Sequence, residues 1–222
     1  QLNMNGTIKK DASGKPLETY SQKDVIEITR ALTGWKWAEP EIKRKGSNWA
    51  NFRKPMAPQW PHEHDTDAKV VLGKTIPAGQ DAYKDLDSVI EILINHPNTA
   101  SFISLRLIQG MTTSDPSPAY LERVATVFKD TKGNLGKVVT AILLDPEARA
   151  GDVSSKSTAN FGRIKEPVLM FTSGIRGLGC RSAMKAHWNS TQTWTPNNQR
   201  PFYAYSVFGF YPPNHRTQGT NV

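Results

Sequence analysis

The chain has 222 residues, of which 37% are hydrophobic and 22% charged, and its formal net charge is +8. This apolar content excludes a wholly disordered protein, and apolar runs of only a few residues exclude a membrane span. The basic residues are scattered along the chain, so we expect a Lys-rich exterior and no nucleic-acid partner. The single cysteine, Cys180, excludes an internal disulfide bond.

The N-terminal third predicts an arm, one helix and a long loop. Residues 1–20 read as a short β-hairpin or extended arm that turns near Asp11 to Gly14. A helix is predicted over residues 21–35, because Ser21 and Asp24 have the spacing of a capping box. Its predicted buried face holds Val25, Ile28, Leu32 and Trp35. Residues 36–84 have no sustained period and are predicted to be a long loop, a length that is often functional.

The rest of the chain predicts a helical core followed by an irregular tail. Residues 85–180 read as consecutive helices with short turns, and Pro97, Pro118 and Pro167 are each expected in a first helical turn. One of these helices is expected to bury a single face. That face comprises Leu135, Val138, Val139, Ile142 and Leu143. We therefore predict one mainly α domain over residues 1–222: a helical bundle with a short N-terminal β-hairpin and long ordered loops.

His62, His64 and Asp65 form the most chemically suggestive cluster in the sequence. Two imidazoles at i and i+2 of an extended segment project to the same side, and a carboxylate follows them. Such a set suits a divalent metal such as zinc, manganese or iron, but a fourth strong ligand is lacking nearby. The alternative is structural: Asp65 fixes a turn, and hydrogen bonds hold the His64 ring. We predict no cofactor and keep a divalent metal at these three residues as the alternative.

Glu27 and Arg30 are a second candidate, because together with Asp24 they lie along one flank of the first predicted helix. A buried Glu27–Arg30 pair beside Trp35 would be able to hold or polarise a substrate. The structural alternative is a salt bridge that pins this helix to the following loop. We predict that Arg30 is paired with a carboxylate in either case.

The tail, residues 187–222, is rich in aromatic side chains with neither a helix nor a strand period. Aromatic platforms bind sugar faces and partner proteins, and they also close hydrophobic cores. The candidate aromatic binding surface comprises Phe202, Tyr203, Tyr205, Phe208 and Tyr211.

Several separate blocks resemble the domain-of-unknown-function family 1800. The block "YSQKDVIEITRALTGW" is similar to the family's Asp-Val and Leu-Thr-Gly-Trp signature. Four later blocks follow in the family's order: "HDTDAKVVLG", "HPNTASFISLRLIQ", "LGKVVTAILLDPEAR" and "RIKEPVLMFTSGIRGLG". The tail block "RPFYAYSVFGFYPP" is similar to the family's C-terminal end.

The resemblance implies a context but no reaction. It implies a bacterial protein that is exported to the periplasm or outside the cell, and a chain that is the C-terminal portion of a longer one. The partners it implies are the N-terminal half of the same protein and an exported sulfatase-like protein, and a polysaccharide is a further candidate. In the family motif only the His64–Asp65 pair is matched, and His62 is not.

Two classes of function follow from these observations. The first is a non-catalytic module that binds a partner protein or an extracellular polymer. The second is a metal-dependent or hydrolase-like enzyme with its site near His64 and Asp65. Glycine-rich phosphate loops, nucleophile elbows and paired-carboxylate motifs are missing from the sequence, so we expect the binding module.

Overall fold

The computed structural model describes residues 1–37, 54–58, 61–153, 161–179, 204, 209–212 and 215. The elements of this part of the chain are α1 (Gln22–Ala31), β1 (Trp35–Lys36), β2 (Ala57–Pro58), a 3-10 turn (Pro61–Glu63), β3 (Lys69–Val71), β4 (Lys74–Ile76), α2 (Ala82–Ile94), α3 (Thr99–Met111), α4 (Pro118–Asp130), α5 (Leu135–Leu144), α6 (Pro146–Ala150) and α7 (Pro167–Gly177). None of the described helices is long and apolar enough to cross a membrane.

The predicted mainly α fold with a short N-terminal hairpin is confirmed. Helices dominate, and the named strands form only two small antiparallel pairs, β1 with β2 and β3 with β4. The N-terminal arm is held by two antiparallel bridges, Leu2 with Ile8 and Lys10 with Pro16. The chain divides into two compact units. Unit 1 comprises Gln1–Asn3 and Thr7–Ala100, and unit 2 comprises Met4–Gly6 and Ser101–Val222. The single domain that we expected stays a prediction.

Helix α1 begins as predicted but ends early. Ser21 and Asp24 form the reciprocal capping box, and the helix ends at Ala31 instead of continuing to residue 35. Trp35 therefore lies in β1, beyond Gly34, which has a φ of +84°. The predicted burial of Leu32 is wrong, since this residue is 41% exposed.

The core-facing row of α1 is rotated from the predicted face. Ala31 is fully buried, and Ile28 packs against the same cluster, whereas Val25 is 40% exposed. The reason is tertiary: this side of the helix packs against β3.

The predicted long loop contains an ordered hairpin that we did not predict. β3 and β4 pair antiparallel, with Val70 opposite Thr75, around a turn in which both Leu72 and Gly73 have positive φ. Such a turn matches the twist of a tight hairpin, but leucine is an unusual residue for it. The core of unit 1 forms where this hairpin meets α1 and α2. Its buried members are Ala31, Val71, Ile76 and Val89.

Helix α2 begins after Asp81, whose carboxylate accepts the N–H of Lys84. Ala82, Asp85 and Val89 are buried on its inner face. This spacing of three and four residues places one row of side chains against the hairpin. Asp85 thus enters the core, where a carboxylate is rarely found without a partner.

In unit 2, the Pro118 start of α4 is confirmed, and Ser117 caps this helix. The Pro167 start of α7 is also confirmed. The Pro97 start is wrong, because α3 begins at Thr99. On α5, Val138 and Ile142 are buried as expected. Two further residues of its predicted buried face, Leu135 and Leu143, are 58% and 46% exposed.

Candidate functional site

Thr33 joins the end of α1 to the segment that carries His64 and Asp65. Its hydroxyl donates to the carbonyl of Arg30 at 2.7 Å and accepts the N–H of Asp65 at 2.8 Å. Its carbonyl oxygen lies 3.1 Å from Nδ1 of His64. A Cβ added at Gly34 would lie 3.4 Å from the backbone nitrogen of His64, so the two segments pack closely.

Arg30 links two carboxylates beside this corner. Its Nε and Nη2 donate to the two oxygens of Asp65 at 2.7 and 3.2 Å, and its Nη1 donates to both oxygens of Glu27 at 3.1 Å. The predicted pairing of Arg30 with a carboxylate is confirmed. Hydrogen bonds from Arg30 lower the pKa of the Asp65 carboxyl below its usual value, and the same bonds raise the pKa of the guanidinium.

The carboxylates of α1 cover the outer edge of β3. Glu27 accepts the N–H of Val70 at 2.8 Å, and Asp24 accepts the N–H of Leu72 at 2.7 Å. The pKa of Glu27 is lowered by this backbone hydrogen bond and by Arg30, while that of Asp24 is lowered mainly by Ser21. Both side chains therefore stay ionised at neutral pH and bind free strand amides. This geometry agrees with the structural alternative, in which α1 is pinned to the loop.

His64, Lys69 and Asp85 form a set that we call the buried cluster. Lys69 Nζ lies 2.7 Å from Asp85 Oδ2 and donates to the carbonyl oxygens of Asp65 and Asp67. The side chains of Lys69 and Asp85 are 1% and 0% exposed, and that of His64 is 2% exposed. Solvent and substrate therefore have no access to these groups in this conformation.

The hydrogen-bond network assigns the tautomer of His64. The hydroxyl hydrogen of Thr33 is used on the Arg30 carbonyl, so Nδ1 must donate to the Thr33 carbonyl oxygen. Nε2 lies 3.2 Å from Asp85 Oδ2 but makes no hydrogen bond to it. Asp85 Oδ1 has no hydrogen-bond partner among the described residues. The predicted anchoring of the His64 ring is confirmed at Nδ1.

Four of the five sequence-predicted polar candidates lie in one network: His64, Asp65, Arg30 and Glu27. Asp65 also fixes its own turn, as predicted, by accepting the N–H of Asp67 at 3.0 Å. His62 is exposed on the 3-10 turn. Within the described ranges, no group of three or more His, Cys, Asp or Glu side chains is placed to hold a metal ion.

Sequence reasoning missed the two residues at the centre of the buried cluster, Lys69 and Asp85. Lysine and aspartate are almost never fully buried, so residue type alone points to the surface. One signal was available for Asp85. It falls on the same helical row as Ala82 and Val89, which are apolar and buried.

The candidate aromatic surface is mostly beyond what the structure describes. Phe202, Tyr203, Tyr205 and Phe208 lie outside the described residues, as does Cys180. Tyr211 is described and half-buried, and its ring lies 4.8 Å from the ring of His215. The aromatic binding surface stays a prediction.

The sequence was compared with known families, proteins and structures. The model of the family described as "Protein of unknown function (DUF1800)" matches residues 7–221, nearly the whole chain. The searches of curated proteins and of solved structures returned no match.

Proposed function

Because this chain belongs to the DUF1800 family, whose description gives no activity, we propose from the geometry of unit 1 that it is a non-catalytic module that binds a helix of a partner protein. The binding surface is the outer face of α2. The observation that carries the proposal is a contrast of exposure. The ionisable side chains of the buried cluster are inaccessible to solvent, while a row of apolar side chains on α2 faces solvent.

The α2 stripe is the set Tyr83, Leu86, Ile90 and Leu93, which are spaced by three, four and three residues. Tyr83 is 53% exposed, Ile90 48% and Leu93 39%, and Leu86 is half-buried. This spacing is that of the contact row between two packed helices. Exposed Lys84 flanks the stripe and introduces charge beside it.

An amphipathic helix is the partner structure that fits such a row. Its own apolar residues at the same spacing would interdigitate with the stripe, as in other helix-in-groove complexes. Tyr83 also packs edge-on against Trp35, with the ring centroids 5.1 Å apart, which limits the conformational freedom of the stripe's first residue. Pre-ordered aromatic residues lose less entropy on binding.

Site-specific photocrosslinking tests this proposal. A photoreactive phenylalanine analogue replaces Ile90 on the α2 stripe or, as a control, the exposed Lys129 in unit 2. The exported sulfatase-like protein implied by the family resemblance is the first partner to mix with it, and an extract of the source organism is the second. We expect a crosslinked product from position 90 that is lost when Tyr83→Lys disrupts the same stripe. Equal products from both positions, or none from position 90, would refute the proposal.

The alternative is a metal-dependent or hydrolase-like enzyme at His64 and Asp65. It is favoured by one observation, the buried Asp85 Oδ1 without a hydrogen-bond partner, because such groups are often found at functional sites. Thermal melting with added zinc or manganese separates the two functions. A metal-dependent rise in Tm that His64→Ala abolishes would favour the enzyme, and an unchanged Tm would favour the binding module.

Export to the periplasm or beyond the cell is part of the proposed function. The partner helix would then belong to another exported protein, and a polysaccharide remains the second candidate ligand. Fractionation of the source organism tests the location: the proposal requires the full-length protein outside the cytoplasm.

A further inference from the structure

A groove that we call the β4 groove lies between β4 and the C-terminal half of α2, within unit 1. Its volume is about 390 Å³, within the usual range of ligand pockets. The floor is aliphatic and includes Leu72, Ile76 and Ile92. Lys74 and Glu91 also line it and bring opposite charges to its rim. The groove is separate from the residues of the α2 stripe.

The free edge of β4 supplies backbone hydrogen-bonding groups to this groove. Val70 is paired with Thr75, and the N–H of Val70 points away from β4 to Glu27. In an antiparallel pair both members then point their N–H and C=O groups outward, so those of Thr75 point away from β3. Thr75 lines the groove, and among the described segments no backbone hydrogen bond outside the hairpin uses it.

The chemistry of the lining narrows the class of ligand. The groove lacks a Trp, Tyr or Phe platform for a sugar, because His96 provides the only aromatic ring among its lining residues. A phosphate group is disfavoured, because the one lining ammonium, that of Lys74, shares the rim with the Glu91 carboxylate. An extended peptide fits all three features: it pairs with a strand edge, places a side chain on an apolar floor, and carries charges of both signs.

His96 adds no positive charge to the groove at neutral pH. Burial lowers its pKa, and the nearby Lys9 ammonium lowers it further. Its Nδ1 accepts the N–H of Asn98 at 3.2 Å, so the neutral ring holds its hydrogen on Nε2. The opposite charges of Lys74 and Glu91 therefore set the electrostatics of the rim.

We propose that the β4 groove binds an extended peptide segment of a partner protein, with one aliphatic side chain on the floor and flanking acidic and basic residues opposite Lys74 and Glu91. The backbone of the segment pairs with Thr75. This site goes beyond the proposed function, because it uses a different surface and a strand-like ligand in place of a helix.

A random peptide library displayed on phage tests the inference with the intact chain as bait. We expect selected peptides to share an aliphatic residue flanked by residues of opposite charge. Fluorescence polarisation then measures the Kd of one such peptide. Lys74→Glu should weaken binding about threefold to fivefold, and a peptide whose acidic residue is replaced by lysine should recover the affinity on this variant. Lys84→Glu, the same charge change on an exposed α2 residue outside the groove, should leave the Kd unchanged.

Three outcomes would overturn the inference: failure to enrich any peptide, an equal Kd for the parent and Lys74→Glu, or an equal loss in both charge variants. A peptide methylated on its backbone nitrogens provides an independent readout, since it should bind more weakly if Thr75 pairs with the backbone. Ile90→Glu distinguishes the two proposals, because it disrupts the α2 stripe and should leave peptide affinity unchanged. Peptide binding without a crosslink at position 90 would refute only the proposed function.

Discussion

Replacing Lys69 with methionine should be among the most destabilising single changes in unit 1. The ammonium lies 2.7 Å from Asp85, and both side chains are essentially inaccessible to solvent. At that distance the gross attraction is about 6 kcal/mol for an effective dielectric constant of about 20. Desolvation of both ions offsets most of this attraction, so the ion pair itself contributes little net stability.

The cost of Lys69→Met comes from the charge that it leaves behind. The Asp85 carboxylate would be buried beside the His64 ring without the Lys69 ammonium, and the carbonyls of Asp65 and Asp67 would lose their donor. Removal of one partner of a buried pair typically costs about 3–5 kcal/mol. We expect a loss of free energy of unfolding in this range, measured by urea denaturation.

The matched controls are Lys84→Met and the double variant Lys69→Met/Asp85→Leu. Lys84 is exposed on α2, so its change should stay within about 0.5 kcal/mol. The double variant removes both charges and should be more stable than Lys69→Met alone. Amide hydrogen exchange of Lys69→Met should show that the loss of stability is located in residues 61–94. A cost of Lys69→Met below about 1 kcal/mol would show that the cluster is hydrated and would refute the reasoning.

Three further predictions concern the corner beside the cluster. Thr33→Val removes hydrogen bonds to Arg30 and Asp65 and should cost about 2–3 kcal/mol by urea denaturation, whereas Thr33→Ser, which keeps the hydroxyl, should cost much less. Gly34→Ala should lower the free energy of unfolding by about 1–3 kcal/mol because Gly34 has a φ of +84°. Gly110→Ala, at a helical position with open space around it, should be neutral or stabilising, so similar Tm values for the two variants would contradict this prediction. Because Arg30 lowers the pKa of Asp65, this ion pair stabilises the folded protein above the pKa of Asp65 in the unfolded chain, and the stabilisation is lost as the pH falls. The Tm difference between the parent and Arg30→Met should therefore shrink from about pH 5 towards pH 2. A constant difference would refute this linkage.

The local features of the fold were predictable from sequence because short-range chemistry determines them. The Ser21–Asp24 capping box and the Pro118 helix start each depend on backbone groups within a few residues. The missed hairpin has a different cause. Its turn places Leu72 at positive φ, a conformation that sequence rules reserve for glycine, asparagine or aspartate, so only Gly73 marked the turn.

The candidate site was predictable only in part, because some of its residues come together only through tertiary packing. His64 and Asp65 stand together in sequence, and Arg30 was identifiable from its position with Glu27 on one flank of the first helix. Asp85 lies on a different element and joins the cluster only because α2 packs against the hairpin. The burial of charge in Lys69 and Asp85 depends on tertiary pairing, which neither periodicity nor residue type reports.

Chemical modification of histidine tests whether the His64 region is a closed structural cluster or an accessible active site. Diethyl pyrocarbonate is applied to the native protein, and the modification rates of His62 and His64 are compared by mass spectrometry. His62 is exposed, whereas the side chain of His64 is 2% exposed. We predict that His64 reacts at least about tenfold more slowly than His62 until the protein is unfolded. Equal rates in the native protein would contradict it and return the segment from Pro61 to Gly73 to consideration as an active site.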